Sequence, residues 1–551
     1  MAPTLRVVPL GGLGEIGKNM LALEVGEDIV VIDAGVMFPE EDMLGVDLVI
    51  PDISYLLQRK EKVRGILITH GHEDHTGALP YVLNRLPTPV YAVGLAHGLI
   101  GLKLKEHGLL SQVRLHKVEP GQPVRLGRLK AEFFPVCHSI PDAMGLVVET
   151  PLGLVFHTGD FKIDHTPVHG GPTDFSILAS YARRGIFLMF SDSTYAETPG
   201  YTPSERVLNE SLDHIIGEAP GRVMVATFAS LISRVQQVLD AAAKHKRKVA
   251  VVGRSMVENV QLALKMGYLK PKHGVLQPWA QIRNLPPHQV VIVTTGTQGE
   301  PTSALVRIAN RDHREIEVIP GDTIVMSASP IPGNETVISR TIDNLCRQGA
   351  RVLYHRNALV HVHGHAAQEE LKLMLRLMRP KYFVPVHGEY RHLVAHAQLA
   401  VQMGVAPENA FVLENGDVLE LTPEGGRKGE RIPCGHIYVD GLRLWEPESV
   451  VLRDRHLLSR DGVVVAVVTV DKNTGRLVRP PELVSSGFAD PHEAQDLLSQ
   501  ASRALQEALD SRRAIPTEWG YLSAKAKEVL EEFLYQKTRR RPMVLPVAIT
   551  V

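Results

Sequence analysis

The stretch Thr69-His70-Gly71-His72-Glu73-Asp74-His75 follows an apolar run, Gly65-Ile66-Leu67-Ile68, and precedes a helix-like segment at 76–83. A strand, a loop and a helix are implied. Side chains two residues apart point about 200° from one another on a helix but share a face on extended backbone. His70 and His72 therefore serve one ion only if the backbone carrying them is not helical. Neutral imidazole and carboxylate suit zinc and similar borderline divalent ions. Asp74 and His75 are offset enough to serve a second ion, so two adjacent metals are the natural reading. The bland alternative is a polar surface loop rich in His, and three imidazoles with an Asp in this order weigh against it.

Composition bounds what such a centre can belong to. A chain of 551 residues is too long for one ordinary domain, and a prior of ~150 residues per domain suggests three or four modules. Hydrophobic residues are 44% and charged residues 22%, the balance of a globular chain. No apolar run approaches the ~20 residues that span a bilayer, and no basic-then-apolar leader opens the sequence, so no membrane partner and a cytoplasmic location are expected. Cys137, Cys346 and Cys434 are far apart and form no Cys-x-x-Cys pair, which excludes a disulfide framework or thiolate metal site as the organising element. Lys and Arg number 60 against 61 Asp and Glu, so any polyanion must be bound by a local positive field rather than by net charge.

Residues 5–10, 19–25 and 29–33 read as strands separated by Gly11-Gly12-Leu13-Gly14-Glu15-Ile16-Gly17 and Gly26-Glu27-Asp28. Gly12-x-Gly14-x-x-Gly17 matches a dinucleotide fingerprint, but that fingerprint needs a helix opening at its last glycine. An antiparallel meander is the reading that fits, with Asp33 at a strand end. Strands at 130–136, 154–157 and 185–190 then end in Cys137-His138, Thr158-Gly159-Asp160 and Ser191-Asp192, with a further strand at 144–150. One strand-end His or Asp is more often a turn residue; several together are what a site between two sheets requires.

From residue 201 strands and helices alternate: 223–228, 248–253, 290–295, 323–327 and 351–354 as strands, with helices at 231–245, 256–266, 303–310 and 335–348. Alternation of this kind predicts a helix-covered parallel sheet with ligands at its carboxyl strand ends. Those ends carry Ala229-Ser230, Arg254-Ser255, Thr297-Gln298-Gly299-Glu300 and Ser327-Ala328-Ser329, suited to phosphate at helix N-termini or to ordinary capping. A second cluster follows, His361-Val362-His363-Gly364-His365, then a helix at 368–378, a strand at 382–386 and His387-Gly388-Glu389-Tyr390-Arg391. The parallel sheet is thus an insertion. The boundaries expected are 1–200 and 356–425 for the two parts of the metal-binding domain, 201–355 for the insertion, 426–450 for a linker and 451–551 for a C-terminal α+β domain. In that last domain, strands are expected at 463–470, 476–478 and 543–551 and helices at 491–509 and 522–535.

With His70-x-His72-x-Asp74-His75, His138 and Gly159-Asp160 in order, the chain resembles the metallo-β-lactamase-fold hydrolases. Ser191-Asp192-Ser193-Thr194, His363-Gly364-His365 and Pro385-Val386-His387-Gly388-Glu389-Tyr390-Arg391 narrow the likeness to the β-CASP nucleases of the bacterial ribonuclease J family. The resemblance covers the whole chain. It implies an α/β fold, a metallo-β-lactamase αββα sandwich with an inserted β-CASP parallel α/β domain and a small α+β C-terminal domain. It further implies two Zn2+ per chain, with Mn2+ or Mg2+ substituting or assisting: His70, His72 and His138 on one ion, Asp74, His75 and His387 on the other, and Asp160 between them. Asp33 and Asp192 are implied as carboxylates that orient ligand imidazoles. His365 is placed near the scissile phosphate, and Ser230, His363 and Gly364 near a phosphate of the RNA, including a 5′-monophosphate. Where the family usually reads His-Val-Ser-Gly-His, this chain has His363 in place of the Ser.

The implied reaction is hydrolysis of RNA phosphodiesters, as a 5′-to-3′ exonuclease favouring 5′-monophosphate ends and as an endonuclease, in RNA maturation and decay. Two ions bring the pKa of a shared water toward ~7 and neutralise developing charge, Asp74 and Asp160 orient that water, and His365 protonates the departing 3′-oxygen. Single-stranded RNA is the expected partner, along with a homodimer or homotetramer through the C-terminal domain. A DNA-directed enzyme of the same fold and a non-catalytic RNA-binding scaffold are the alternatives.

Overall fold

Leu5, Val7, Leu21, Leu23, Val30 and Ile32 alternate along the first strands and are all at most 4% exposed, which commits one face of those strands to a core. The computed structural model describes residues 3–551 apart from 41–42, 332, 442, 447–448, 473, 475 and 511–518. The chain divides into two compact units, residues 1–38 with 48–437 and residues 39–47 with 438–551.

In the larger unit, the first sheet has eight strands, in the order Gly426–Lys428, Leu419–Leu421, Leu5–Gly11, Met20–Val25, Asp28–Ile32, Val63–Leu67, Val90–Val93 and Leu115–Val118. The first three strands of the chain with an apolar core face, Leu5–Gly11, Met20–Val25 and Asp28–Ile32, pair antiparallel, as the meander reading requires. A strand, not a helix, follows Gly17. A second, six-stranded sheet runs Tyr382–Val386, Ile186–Asp192, Gly153–His157, Met144–Thr150, Leu129–Pro135 and Val124–Leu126. Leu23, Val30 and Leu67 of the first sheet share one buried cluster with Phe133, Leu146, Val155 and Phe190 of the second. Helices Phe175–Arg184, Gln368–Met378 and Tyr390–Gln402 cover the outer face of the second sheet through Leu178, Leu371, Met374 and Leu399.

Between the second and third parallel strands of that sheet lies the inserted domain. Its five strands are all parallel, in the order Lys248–Val252, Val290–Thr294, Val223–Ala226, Thr323–Met326 and Arg351–Leu353. Each strand is apolar on both faces, because helices cover both: Val225, Val249 and Val293 face one cluster, and Met224, Ala250 and Ile292 the other. Helix Val207–Glu218 precedes the first of these strands and was not among the expected elements. The fold is therefore a two-sheet sandwich interrupted by a parallel α/β domain, the layout that the resemblance implies.

Two sequence expectations change in the C-terminal part. Residues 426–450, read as linker, carry the strands Gly426–Lys428, His436–Asp440 and Arg443–Trp445. The strand expected at 476–478 is only an isolated bridge, Val470 to Leu477, and the third strand is Glu482–Ser486. Pro480 and Pro481 explain the shift, since neither has an N–H for a ladder. Asn473 and Gly475 of the expected turn lie outside the described residues. Strand Val463–Val470 sits between Glu482–Ser486, antiparallel, and Met543–Thr550, parallel. One face of this sheet packs on helices Pro491–Asp510 and Trp519–Thr538 through Val464, Ala466, Leu505 and Leu530.

Candidate metal centre

The strands of both sheets deliver their following residues to one edge of the sandwich. Val63–Leu67 leads into His70, Asp28–Ile32 into Asp33, Leu129–Pro135 into His138, Gly153–His157 into Asp160, and Tyr382–Val386 into His387, while Asp192 closes Ile186–Asp192. The Met144 N–H donates to the Thr69 carbonyl at 2.9 Å and ties the edges of the two sheets together beside this cluster. His70 and His72 lie on non-helical backbone, whereas Asp74 and His75 belong to a single helical turn, Glu73–Thr76. Asp33 and His387 have φ of 61° and 55°, a left-handed backbone that non-glycine residues adopt at a cost of order 1–3 kcal/mol and that clusters at functional sites.

Three imidazole nitrogens converge. His72 Nδ1 lies 3.0 Å from His70 Nε2 and 3.2 Å from His138 Nε2. Thr69 Oγ1 gives its proton to Asp33 Oδ2 at 2.9 Å, so the His70 Nδ1–H donates to that hydroxyl at 3.0 Å and Nε2 is left bare. The His138 Nδ1–H donates to the Gly364 carbonyl at 2.8 Å, which leaves its Nε2 bare as well. Burial holds all three rings neutral, His72 down to about 4 and the other two well below the usual range, with neighbouring imidazoles adding to the effect on His70 and His138. Converging lone pairs with no proton between them fit a cation.

Asp74, His75, Asp160 and His387 form a second set of facing donors. His75 Nε2 is 3.2 Å from Asp160 Oδ2 and 3.5 Å from Asp74 Oδ2, and His387 Nε2 is 3.4 Å from Asp74 Oδ2. Against the penalty of burial, the Asp160 and Asp74 carboxylates push the His75 imidazole well up and His387 to about 10. Burial opposes the charged form of both carboxylates too, yet the imidazoles hold them well below their usual range. The field here favours positive charge, which a divalent cation would supply. Asp160 Oδ2 also stands 3.6 Å from His70 Nε2 and 3.9 Å from His138 Nε2, so one oxygen faces both sets. Asp33 lies behind His75, its Oδ2 accepting from Nδ1–H at 2.8 Å while Oδ1 accepts the Thr69 N–H at 2.8 Å.

His365 stands beside both sets, its ring 5.0 Å from His138 and 5.5 Å from His387. Asp192 was expected behind a ligand imidazole; its close partner is instead His365 Nδ1, at 2.7 Å, with His387 Nδ1 at 4.0 Å. Burial pushes His365 down, and the Asp192 carboxylate outweighs it, raising the imidazole above its ordinary value. His363 stacks on Tyr195, and burial drives it down to about 3. Ser230 sits in the turn before helix Ile232–Lys244, at the carboxyl end of the inserted sheet. Three residues on, the Ser233 hydroxyl donates to the Ser139 carbonyl at 3.0 Å, next to His138.

Sequence reasoning gave no role to Thr69, Gly35 or Arg234. Thr69 relays between Asp33 and His70. Gly35 lets the backbone at Asp74 approach, since a Cβ there would meet the Asp74 carbonyl oxygen at 1.6 Å. Arg234 is wholly buried and holds the Val360 carbonyl at 2.8 Å, bracing the loop that leads to His361. Only Thr69 carried a signal, its place directly before His70.

Four family models match successive parts of the chain: a beta-lactamase superfamily domain at 29–182, the ribonuclease J beta-CASP domain at 220–345, a Zn-dependent metallo-hydrolase RNA specificity domain at 349–413 and the ribonuclease J C-terminal domain at 450–551. The chain is 41% identical over 548 residues to ribonuclease J2 of Bacillus subtilis, covering 99% of each chain. It is 43% identical to ribonuclease J 1 of Streptococcus pyogenes, covering 99% of this chain and 97% of that one. With ribonuclease J of Synechocystis it shares 42% identity over 98% of its own length and 86% of the relative's. A solved structure of a protein of unknown function from Enterococcus faecalis superposes with a TM-score of 0.54 at 15% identity, over 76% of this chain and all of the other, which speaks to the fold alone.

Proposed function

The chain belongs to the ribonuclease J family and is a metal-dependent ribonuclease; from that premise we propose that it holds two zinc ions and acts on single-stranded RNA as a 5′-to-3′ exonuclease favouring 5′-monophosphate ends, with endonuclease activity as well. The observation that carries this reading is the single Asp160 oxygen facing both donor sets, with the His365–Asp192 pair beside it. His70, His72 and His138 would hold one ion, Asp74, His75 and His387 the other, and Asp160 both. Two such ions supply an acidified water and neutralise charge developing on a phosphodiester. His365, with Nδ1 committed to Asp192, has Nε2 left to give a proton to the departing 3′-oxygen, and the carboxylate favours the protonated form it needs. The Gly364 carbonyl fixes the tautomer of His138, and Asp33 that of His75. Ser230, His363 and the Gly364 backbone are assigned to a phosphate of the RNA.

Metal analysis together with digestion of matched 5′-monophosphate RNA, 5′-triphosphate RNA and DNA tests this reading. Two zinc equivalents and fastest loss of the 5′-monophosphate RNA are expected, and His72→Ala or Asp74→Ala should abolish cleavage while leaving RNA binding largely intact. Full activity in either variant would sink the dinuclear assignment; equal cleavage of DNA would sink the RNA specificity.

A homodimer or homotetramer through the C-terminal domain belongs to the same proposal. The sheet there packs one face on its helices and presents Val484, Leu545, Val547 and Ile549 on the other, each at least 41% exposed. A second copy covering that face removes apolar surface from water. The protein is assigned to the cytoplasm, and among the described residues no helix is long and apolar enough to cross a membrane.

A further inference from the structure

The segment Asp192-Ser193-Thr194-Tyr195 touches the strip His363-Gly364-His365 at two points. Asp192 holds His365 by charge, at 2.7 Å. Its other carboxylate oxygen accepts the Thr194 N–H at 3.0 Å, which fixes the turn between Asp192 and Tyr195. At the second point the Tyr195 ring lies flat on His363, with centroids 3.6 Å apart and planes 5° from parallel. His365 is the next ring beyond, at 6.0 Å and 20°.

Besides the stack, a backbone hydrogen bond at His365 bears on the His363 ring. Its Nδ1 is buried and has no hydrogen-bond partner among the described residues, so the stack is the face-on contact that sets the plane of the ring. The Tyr195 hydroxyl makes no hydrogen bond among the described residues, so this side chain acts through its ring face. Between the two grips, the Gly364 carbonyl accepts from His138 Nδ1–H at 2.8 Å. Gly364 has no room to move sideways, because even a Cβ would meet His138 Nδ1 at 2.6 Å and the Ser139 nitrogen at 2.8 Å. A tilt of the strip about its charged end therefore moves the Gly364 carbonyl and His365 together. The stack opposes that tilt together with the His138 bond to the Gly364 carbonyl and the Thr202 hydroxyl, which donates to the His365 carbonyl at 2.7 Å.

We propose that Tyr195 is a positioning residue for the cleavage reaction, its ring locking the His363-Gly364-His365 strip so that His365 faces the scissile bond while the Gly364 carbonyl stays on His138. The assignment rests on the ribonuclease reading of the centre. Catalytic groups held about 1 Å out of place can lose on the order of 100-fold in rate, and removal of one of several grips on the strip should cost less than that.

Tyr195→Phe keeps the ring and Tyr195→Leu removes it. On 5′-monophosphate RNA, the Phe variant should keep kcat and KM within about twofold, and the Leu variant should lose about tenfold or more in kcat with KM within about threefold. Metal content and melting temperature, measured on the same preparations, should change little in either. A Leu variant with wild-type kcat, a Phe variant as impaired as the Leu variant, a loss confined to KM, or a loss that tracks missing metal would each overturn the assignment. Imidazole NMR signals of His365 in the metal-free protein give a readout that needs no cleavage: they should be kept in Tyr195→Phe and shifted or broadened in Tyr195→Leu. A wild-type chain that cleaves no RNA overturns the ribonuclease reading, while an unchanged His365 signal in Tyr195→Leu overturns the positioning role, so the two failures are told apart.

Discussion

Gly35→Ala adds one methyl group and should dismantle half of the metal centre. The new Cβ would stand 1.6 Å from the Asp74 carbonyl oxygen, 2.0 Å from its carbon and 2.7 Å from the His75 nitrogen, all of them backbone. Ordinary contact begins at 3.4 Å, so the helical turn carrying Asp74 and His75 must retreat by nearly 2 Å. Four hydrogen bonds tie that region down: Asn19 N–H to Asp74 O, Ala34 N–H to His75 O, Val36 N–H to Glu73 O and Gly35 N–H to Asn19 O, all at 2.8–3.0 Å. Losing two or three of them at about 1 kcal/mol each costs ~2–3 kcal/mol, and the displacement alone implies a loss of at least ~100-fold in turnover. Metal content per chain, measured alongside cleavage of 5′-monophosphate RNA, should fall toward one equivalent. Gly425→Ala is the control, since its Cβ would meet nothing within 4 Å. Two retained ions and wild-type turnover in Gly35→Ala would refute the reasoning from close approach.

The remaining expectations concern pH and assembly. His396 is buried, its Nδ1 is 3.0 Å from Ser193 Oγ, its Nε2 has no partner among the described residues, and burial drives its pKa down to about 3. The unfolded chain takes a proton near pH 6.5 that the folded chain refuses, so this stability is full above pH 6.5 and is lost as pH falls toward the folded value. At pH 5.5 the wild type should have lost ~1.4 kcal/mol more than His396→Phe relative to pH 7.5; chemical denaturation at the two pH values measures it, and parallel slopes would contradict the assignment. Val547→Glu on the exposed C-terminal sheet face should shift the mass in light scattering toward the monomer, and an unchanged assembly would place the interface elsewhere.

Much of the site was legible because its chemistry sits where strands stop. His138, Asp160, Asp192 and His387 each follow or close an apolar run, and parallel neighbours such as 186–192 and 382–386 bring equivalent ends side by side, with Asp192 opposite Val386. What stayed hidden depends on approach across the sequence. Gly12, Gly14 and Gly17 drew attention as a fingerprint but serve left-handed backbone and, at Gly12, a close approach to Asn19, whereas Gly35 appeared incidental and is set against Asp74. The partner of Asp192 could not be read either, since His365 and His387 are equally plausible until the left-handed backbone at His387 turns its ring toward Asp160. Stacking of Tyr195 on His363 has no periodicity to announce it. In the C-terminal domain, Glu482–Ser486, with Leu483 and Val484 as its only apolar residues, gave a weaker strand signal than the valine run at 463–470.

The inserted sheet also divides the centre in time. His70, His72 and His138 are all present once residue 138 has been made, but Asp160 and His387 are separated by 227 positions. At about 5–20 residues per second, a ribosome spends roughly 10–50 s between them. Through that interval the nascent chain carries the three imidazoles of one set and three members of the other, while the fourth, and the Gly364 carbonyl that accepts from His138, wait on the translation of an entire domain. An enzyme that destroys RNA is thus completed only after most of its own message has been read.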